Sequence, residues 1–161
     1  MRMREATWTA NLELKLPPLA LGFLVAALMW TVATATPDFN VTVPAHSICA
    51  FCIALLGLAI CISGVVSFRM AGTTVNPMSP GSSSSLVVSG IYKYTRNPMY
   101  LGFLLILLGW AVLLSNLVAL VFLPAFVLYM NRYQIGPEER ALTALFASEF
   151  TKYRAKVRRW V

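Results

Sequence analysis

The chain has 161 residues, 13 Lys and Arg against 6 Asp and Glu, and a formal net charge of +7. Apolar residues make up 58% and charged residues 12%, whereas a soluble domain carries about 25% charged and 45–50% apolar residues. That balance excludes a water-covered globule and an intrinsically disordered chain, and it predicts a small polytopic membrane protein whose few charges gather at the membrane edges.

Leu16 to Pro37 is the first uncharged stretch, opened by Pro17 and Pro18, and proline is tolerated at a helix start. It predicts a span over about 16–36. Its length, with Glu5 and Glu13 before it, argues against a cleavable leader. Val41 to Phe68 contains no Lys, Arg, Asp or Glu and predicts a second span over about 45–68. His46, Cys49 and Cys52 recur there at intervals of three. They fan over one helix with no fourth ligand near, so no metal site is expected.

The loop from Arg69 to Arg96 holds Asn76-Pro77, Pro80-Gly81 and the serine run 82–85, which is turn and linker chemistry. Asn97 to Asn131 then runs for 35 residues without Lys, Arg, Asp or Glu. Both of its flanks are basic: Lys93 and Arg96 precede it, and Arg132 and Arg140 follow. Basic residues stay cytoplasmic, so the stretch is expected to cross twice, over 98–114 and 117–133, with a tight turn at Ser115-Asn116. Pro124 predicts a bend in the second of these spans.

From Gly136 the chain reads as a new helix, with Pro137 early and Glu138 and Glu139 in the first turn. Leu142, Leu145, Phe146, Phe150 and Tyr153 form an apolar stripe. Lys152, Arg154, Lys156, Arg158 and Arg159 crowd its end before Trp160, as in a helix lying on an anionic leaflet. Such a surface repels Glu138 and Glu139, which this reading leaves unexplained. The expected fold is a single all-α membrane domain over 1–161, with four transmembrane helices, the last two a tight hairpin, and a C-terminal cytoplasmic amphipathic helix. Both termini are expected in the cytoplasm. Nucleic acid is not an expected partner; membrane lipids are.

Arg96-Asn97-Pro98-Met99-Tyr100 places a cation, an amide and a phenol within five residues at the inner membrane boundary. Pro98 starts a helix, so the unpaired amides of its first turn suit a negative or polar ligand group. A snorkelling arginine with an interfacial tyrosine gives the same pattern. Tyr92, Tyr94, Glu138 and Glu139 lie at the same depth, and aromatic faces with a carboxylate attract a flat-ringed cation such as a sulfonium.

Taken in order, Leu86-Val87-Val88-Ser89-Gly90-Ile91-Tyr92, Arg96-Asn97-Pro98-Met99-Tyr100-Leu101-Gly102, Glu138-Glu139 and the Phe146, Glu149, Phe150, Tyr153 set resemble the isoprenylcysteine carboxyl methyltransferases and the related phospholipid N-methyltransferases. The resemblance covers roughly residues 69–160. It implies an integral membrane enzyme, of prokaryotic type and in the inner membrane, that uses S-adenosylmethionine without a Rossmann domain. A lipophilic small molecule or a lipidated protein would be the acceptor. The cofactor-binding part would be 72–100 and 134–160. Ser85, Leu86, Val87 and Tyr92 would line the cofactor, with Ser84 beside them. Asn97, Pro98, Met99 and Tyr100 would form its floor. Glu138 would hold a polar group of the cofactor, with Glu139 as the neighbouring alternative. Two departures stand out. Asn97 replaces a common histidine and cannot act as a base. Gln134 stands where eukaryotic carboxyl methyltransferases carry a substrate-binding arginine, so Arg132 and Gln134 are the candidates for orienting the substrate. Phospholipid N-methylation is the alternative activity, and a non-catalytic scaffold with the same fold is the alternative of another class.

Overall fold

The structure is a computed structural model that describes residues 13–42, 44–72 and 85–161. The first residues, with Arg2, Arg4 and Glu5, and the loop segment 73–84, with Ser84, lie outside the described residues. Helix α1 spans Pro18–Ala35, α2 His46–Met70 and α3 Pro98–Leu114. A 3-10 turn at Ala119–Val121 leads into α4, Phe122–Tyr129, and α5 covers Gly136–Lys156 with a kink at Ala147, where φ is 30°. Among the described residues the only extended pairing is an isolated bridge between Asn40 and Asn116.

Two of the helices start at prolines. Pro18 opens α1 and Pro98 opens α3, each as a first helical residue that needs no intrahelical donor. α1 and α2 are long and apolar enough to cross a bilayer, but only 28% of the first and 17% of the second is buried. A core helix of a soluble protein would be mostly covered. Here Phe23, Phe51 and Ile48 are well exposed, at 70%, 69% and 68%. Hydrocarbon is the solvent in which such faces cost nothing.

α2 packs along α3 through small residues: Gly57 faces Gly102, Gly109 faces Ala50 and Ala54, and Gly64 receives Pro98 and Met99. A methyl on Gly57 would sit 2.6 Å from the Gly102 carbonyl, and one on Gly109 would sit 2.8 Å from that of Ala50. α1 lies against α3 on another side, where the Trp110 indole donates to the Ala26 carbonyl at 3.0 Å. Met29, Leu107, Ala111, Phe126, Met130 and Ile135 close the core between α1, α3 and α4.

α3 ends at Ser115, which adopts a left-handed conformation with φ 50°. Asn116, 2% exposed, then holds the reversal together. Its amide donates to the Thr36 carbonyl at 2.9 Å and to Asn40 Oδ1 at 2.8 Å. Its carbonyl oxygen accepts from the backbone of Val118 and Ala119 at 3.0 and 3.1 Å. Replacing Asn116 with Ala leaves these groups unpaired in a buried place, and we expect a loss of about 2–4 kcal/mol, read as a lowered melting temperature of the detergent-solubilised protein.

The returning helix departs from the sequence expectation. The stretch 117–133 is not one regular helix, and Gly136 does not begin a new one. A π-helical turn over Met130–Ile135 joins α4 to α5 without a break in helical backbone. Pro137 supplies the reason. It lacks an N–H and its ring collides with the carbonyl four residues back, which belongs to Tyr133. The wide turn moves that carbonyl aside, and the Leu14 amide bonds to it at 3.1 Å. Pro124 falls in the first turn of α4, where its missing donor is not required; the irregularity lies in the 3-10 turn before it.

Candidate functional site

Because the chain reverses at Ser115, the π turn and the start of α5 return to the start of α3. Gln134 and Glu138, one turn apart, meet Tyr100 there. The Tyr100 hydroxyl bonds to Glu138 Oε1 at very short range. Gln134 Nε2 donates to the same oxygen at 2.6 Å and lies 3.4 Å from the Tyr100 hydroxyl. Tyr100 and Gln134 are buried. Burial pushes the Glu138 carboxyl up to about 7, even though hydrogen bonds from Tyr100 and Gln134 favour its ionised form.

Glu139 is turned away from this group by one residue's rotation about the helix. Arg96 Nη2 reaches its Oε1 at 2.7 Å, and Arg159 Nη2 reaches its Oε2 at 2.6 Å. Burial alone would raise the Glu139 carboxyl; the hydrogen bonds and charges of Arg159 and Arg96 outweigh it and hold it below the ordinary range. Two consecutive carboxylates therefore differ in kind: Glu139 is fixed as an anion, and Glu138 is poised to gain or lose a proton near neutrality.

The end of the chain closes over the loop before α3. The carbonyl of Val157 accepts from Arg96 Nη1 at 2.6 Å, that of Arg158 from the Arg96 amide at 3.0 Å, and that of Arg159 from Asn97 Nδ2 at 2.9 Å. The Trp160 indole donates to Asn131 Oδ1 at 3.1 Å, and its ring packs on the core. Trp160 therefore departs from the reading of it as an interfacial anchor: its partner is Asn131 and the core. The two glutamates that the membrane-surface reading left unexplained are the reason, since their burial demands cations and donors from the tail and from the start of α3.

The predicted site residues divide into groups. Tyr100, Gln134 and Glu138 come together, and Glu139 joins Arg96 beside them. Asn97 spends its amide on the Arg159 carbonyl. Pro98 and Met99 pack against Gly64 of α2, and the Cys61 thiol donates to the Met99 carbonyl at 3.2 Å. Tyr92 is buried edge-on to Phe68, and the Tyr153 hydroxyl donates to its carbonyl at 2.6 Å. Val87 is buried, and Ser85 bonds to the Ala71 carbonyl at 3.3 Å. Arg132 lies apart from the Tyr100 group. Glu13 holds both it, at 3.4 Å, and Arg140.

A groove of about 530 Å³ opens next to this end, lined by Leu86, Val88, Lys93, Glu149, Lys152, Tyr153, Lys156 and Val157. Sequence reasoning placed the basic residues of the tail and Lys93 around this end, but missed Asn131 and the pairing of Arg159 with Glu139. The one signal that pointed to them was the unexplained acidic pair.

These features define a helical membrane protein with a buried phenol–amide–carboxylate group at one end of its bundle. The model of the phospholipid methyltransferase family matches residues 45–149, and the chain belongs to that family. An uncharacterised protein of Haemophilus influenzae is 44% identical over 63 residues, which is 39% of this chain and the whole of that protein. Protein-S-isoprenylcysteine O-methyltransferase of Schizosaccharomyces pombe is 36% identical over 72 residues, 45% of this chain and 30% of that enzyme. The Saccharomyces cerevisiae enzyme of the same name is 34% identical over 79 residues, 47% of this chain and 32% of that enzyme. The chain thus spans about a third of the length of the two yeast relatives.

Proposed function

We propose that the protein is an S-adenosylmethionine-dependent membrane methyltransferase that methylates the carboxylate of a lipophilic substrate at the cytoplasmic membrane interface, in the manner of the isoprenylcysteine enzymes. In this reading α1, α2, α3 and the α4–π segment are four crossings of a prokaryotic inner membrane, and both termini lie in the cytoplasm. One observation carries the proposal. Three sequence segments that resemble the family's motifs converge on one end of the bundle, where Tyr100, Gln134 and Glu138 form a single hydrogen-bonded group.

The chain's own residues suit the cofactor. The groove has the volume of a small-molecule site, about 300–1,000 Å³. Leu86, Val88 and the Tyr153 ring offer apolar faces for an adenine. Lys93, Lys152 and Lys156 offer cations for a carboxylate, and Glu149 offers an anion for an ammonium. Glu138 supplies further negative charge toward a sulfonium. When bound, S-adenosylmethionine supplies an activated methyl group. The protein then has to align the acceptor and exclude water. Asn97 moves no proton; it fastens the tail.

A second reading, phospholipid N-methylation, is favoured by the Glu138 carboxyl. An ammonium must lose its proton before it can attack, and a carboxylate titrating near 7 is suited to receive it. An ionised carboxylate acceptor needs no base. Membranes containing the protein, incubated with methyl-labelled cofactor and then extracted, identify the acceptor. The pH profile of that labelling separates the two activities. A rate independent of Glu138 ionisation supports O-methylation, and a rate rising with a midpoint near 7 supports N-methylation. If intact, folded protein shows no saturable cofactor binding by calorimetry, both enzymatic readings fail and the scaffold remains.

A further inference from the structure

The residues after α5 hold more of the site than their composition suggests. Three successive carbonyls, those of Val157, Arg158 and Arg159, are all taken up by Thr95, Arg96 and Asn97, the residues immediately before α3. The Arg159 guanidinium is the only side chain of this strap that reaches the acidic pair among the described residues, and it does so through two nitrogens, Nη2 on Oε2 at 2.6 Å and Nε on Oε1 at 3.2 Å. Nη1 lies 3.3 Å from Asn131 Oδ1, in the π turn. One planar group thus ties together the tail, the π turn and the first turn of α5. The Glu139 it grips is the chain neighbour of Glu138, whose carboxylate faces Tyr100.

We propose that Arg159 is a positioning residue: acting through Glu139 and the π turn, it sets where Glu138 and Gln134 stand relative to Tyr100 and holds the loop 95–97 against the start of α3. The inference rests on the methyl-transfer reading for its kinetic consequences but not for its structural ones. A bidentate guanidinium does what an ammonium cannot. It fixes direction as well as distance, because its donors form a rigid fork that matches a carboxylate. A displacement of the reacting groups by about 1 Å costs roughly a hundredfold in rate, so loss of the fork acts on turnover more than on ligand affinity.

The test compares Arg159→Gln and Arg159→Lys with the parent protein in nanodiscs. Arg158→Gln serves as a control, since the Arg158 side chain is exposed. Hydrogen exchange at residues 95–97 is expected to speed up by about tenfold or more in Arg159→Gln and to stay near the parent rate in Arg158→Gln. With the acceptor found by labelling, turnover is expected to fall by about a hundredfold in Arg159→Gln with KM for S-adenosylmethionine changed by less than about threefold, and to recover only in part in Arg159→Lys. Exchange at 95–97 within about twofold of the parent in Arg159→Gln overturns the proposal, whatever the activity. So does a kinetic loss that falls on KM alone, or full recovery with lysine. If the parent protein transfers no methyl group, the methyl-transfer reading fails and the exchange measurement still decides the strap. If Arg159→Gln does not yield folded protein, Arg159→Lys carries the exchange test, with faster exchange at 95–97 expected and the parent rate overturning it.

Discussion

Glu138→Gln is expected to weaken binding of S-adenosylmethionine in a calorimetric titration and, where the acceptor is an amine, to lower methyl transfer by about a hundredfold or more; for a carboxylate acceptor the loss falls on the cofactor's KM instead. The amide keeps the size of the side chain and can still accept from Tyr100 or Gln134, but it removes the carboxylate charge that, in the proposed reading, attracts a sulfonium, and the group that could receive a proton. General-base and electrostatic terms of this kind are worth roughly two to four orders of magnitude. The same substitution has a signature in stability. Burial pushes the Glu138 carboxyl up to about 7, above its ordinary value of 4.5. The folded protein therefore binds more protons than the unfolded chain between these values. Its stability is fully present below about 4.5 and declines as pH rises through 7, by about 3 kcal/mol in all. In Glu138→Gln this contribution to the slope disappears. Melting temperatures of the parent and variant, measured from pH 4.5 to 8 in the same detergent, check both statements. Parallel curves would mean that Glu138 titrates as an ordinary glutamate.

Gly102→Leu is expected to abolish the packed structure, seen as loss of a cooperative melt and of monodisperse protein after solubilisation. A side chain there meets the backbone of α2, with the Gly57 carbonyl 2.5 Å and the Cys61 amide 3.0 Å from the first added carbon. Backbone cannot rotate out of the way as a flexible side chain can. The helices must separate, and separation undoes the contacts at Gly57, Gly64 and Gly109 together. Overpacking a close contact typically costs 1–3 kcal/mol, and here the strain spreads along the whole seam. Gly22→Leu is the matched control. It changes a glycine of α1 to the same residue at a position where an added carbon meets nothing within 4 Å, and it is expected to melt close to the parent.

The boundaries of the first three helices were legible in the sequence, within about two residues. Hydropathy runs and the prolines at 17, 18 and 98 are local signals, and a bilayer-length apolar helix needs little else. Ser115-Asn116 was legible as a turn because it is the one polar pair in a long apolar run. The convergence of Tyr100 with Glu138 was foreseen only through resemblance to a known family. The π turn was not foreseen at all. Pro137 looks like a helix start in sequence, and only the continuation of helical backbone through Ile135 and Gly136 shows that it sits within one. Trp160 and Arg159 were read as a membrane-binding end because composition counts charges without showing which partner they find.

By itself, then, the sequence determined that this chain lives in a membrane, where its first three helices lie and which residues stand at their polar edges, because burial in hydrocarbon is decided segment by segment. The pairing of those edges belongs to the tertiary structure. Arg159 meets Glu139 twenty positions away, and Tyr100 meets Glu138 thirty-eight positions away, because a left-handed Ser115 returns the chain and a widened turn aims it. The excess of positive charge gains a second meaning from this. Arg96 and Arg159 neutralise Glu139 and leave its neighbour Glu138 to titrate near neutrality, a division of labour that depends on which side of a helix each residue falls and which segments fold back to meet it.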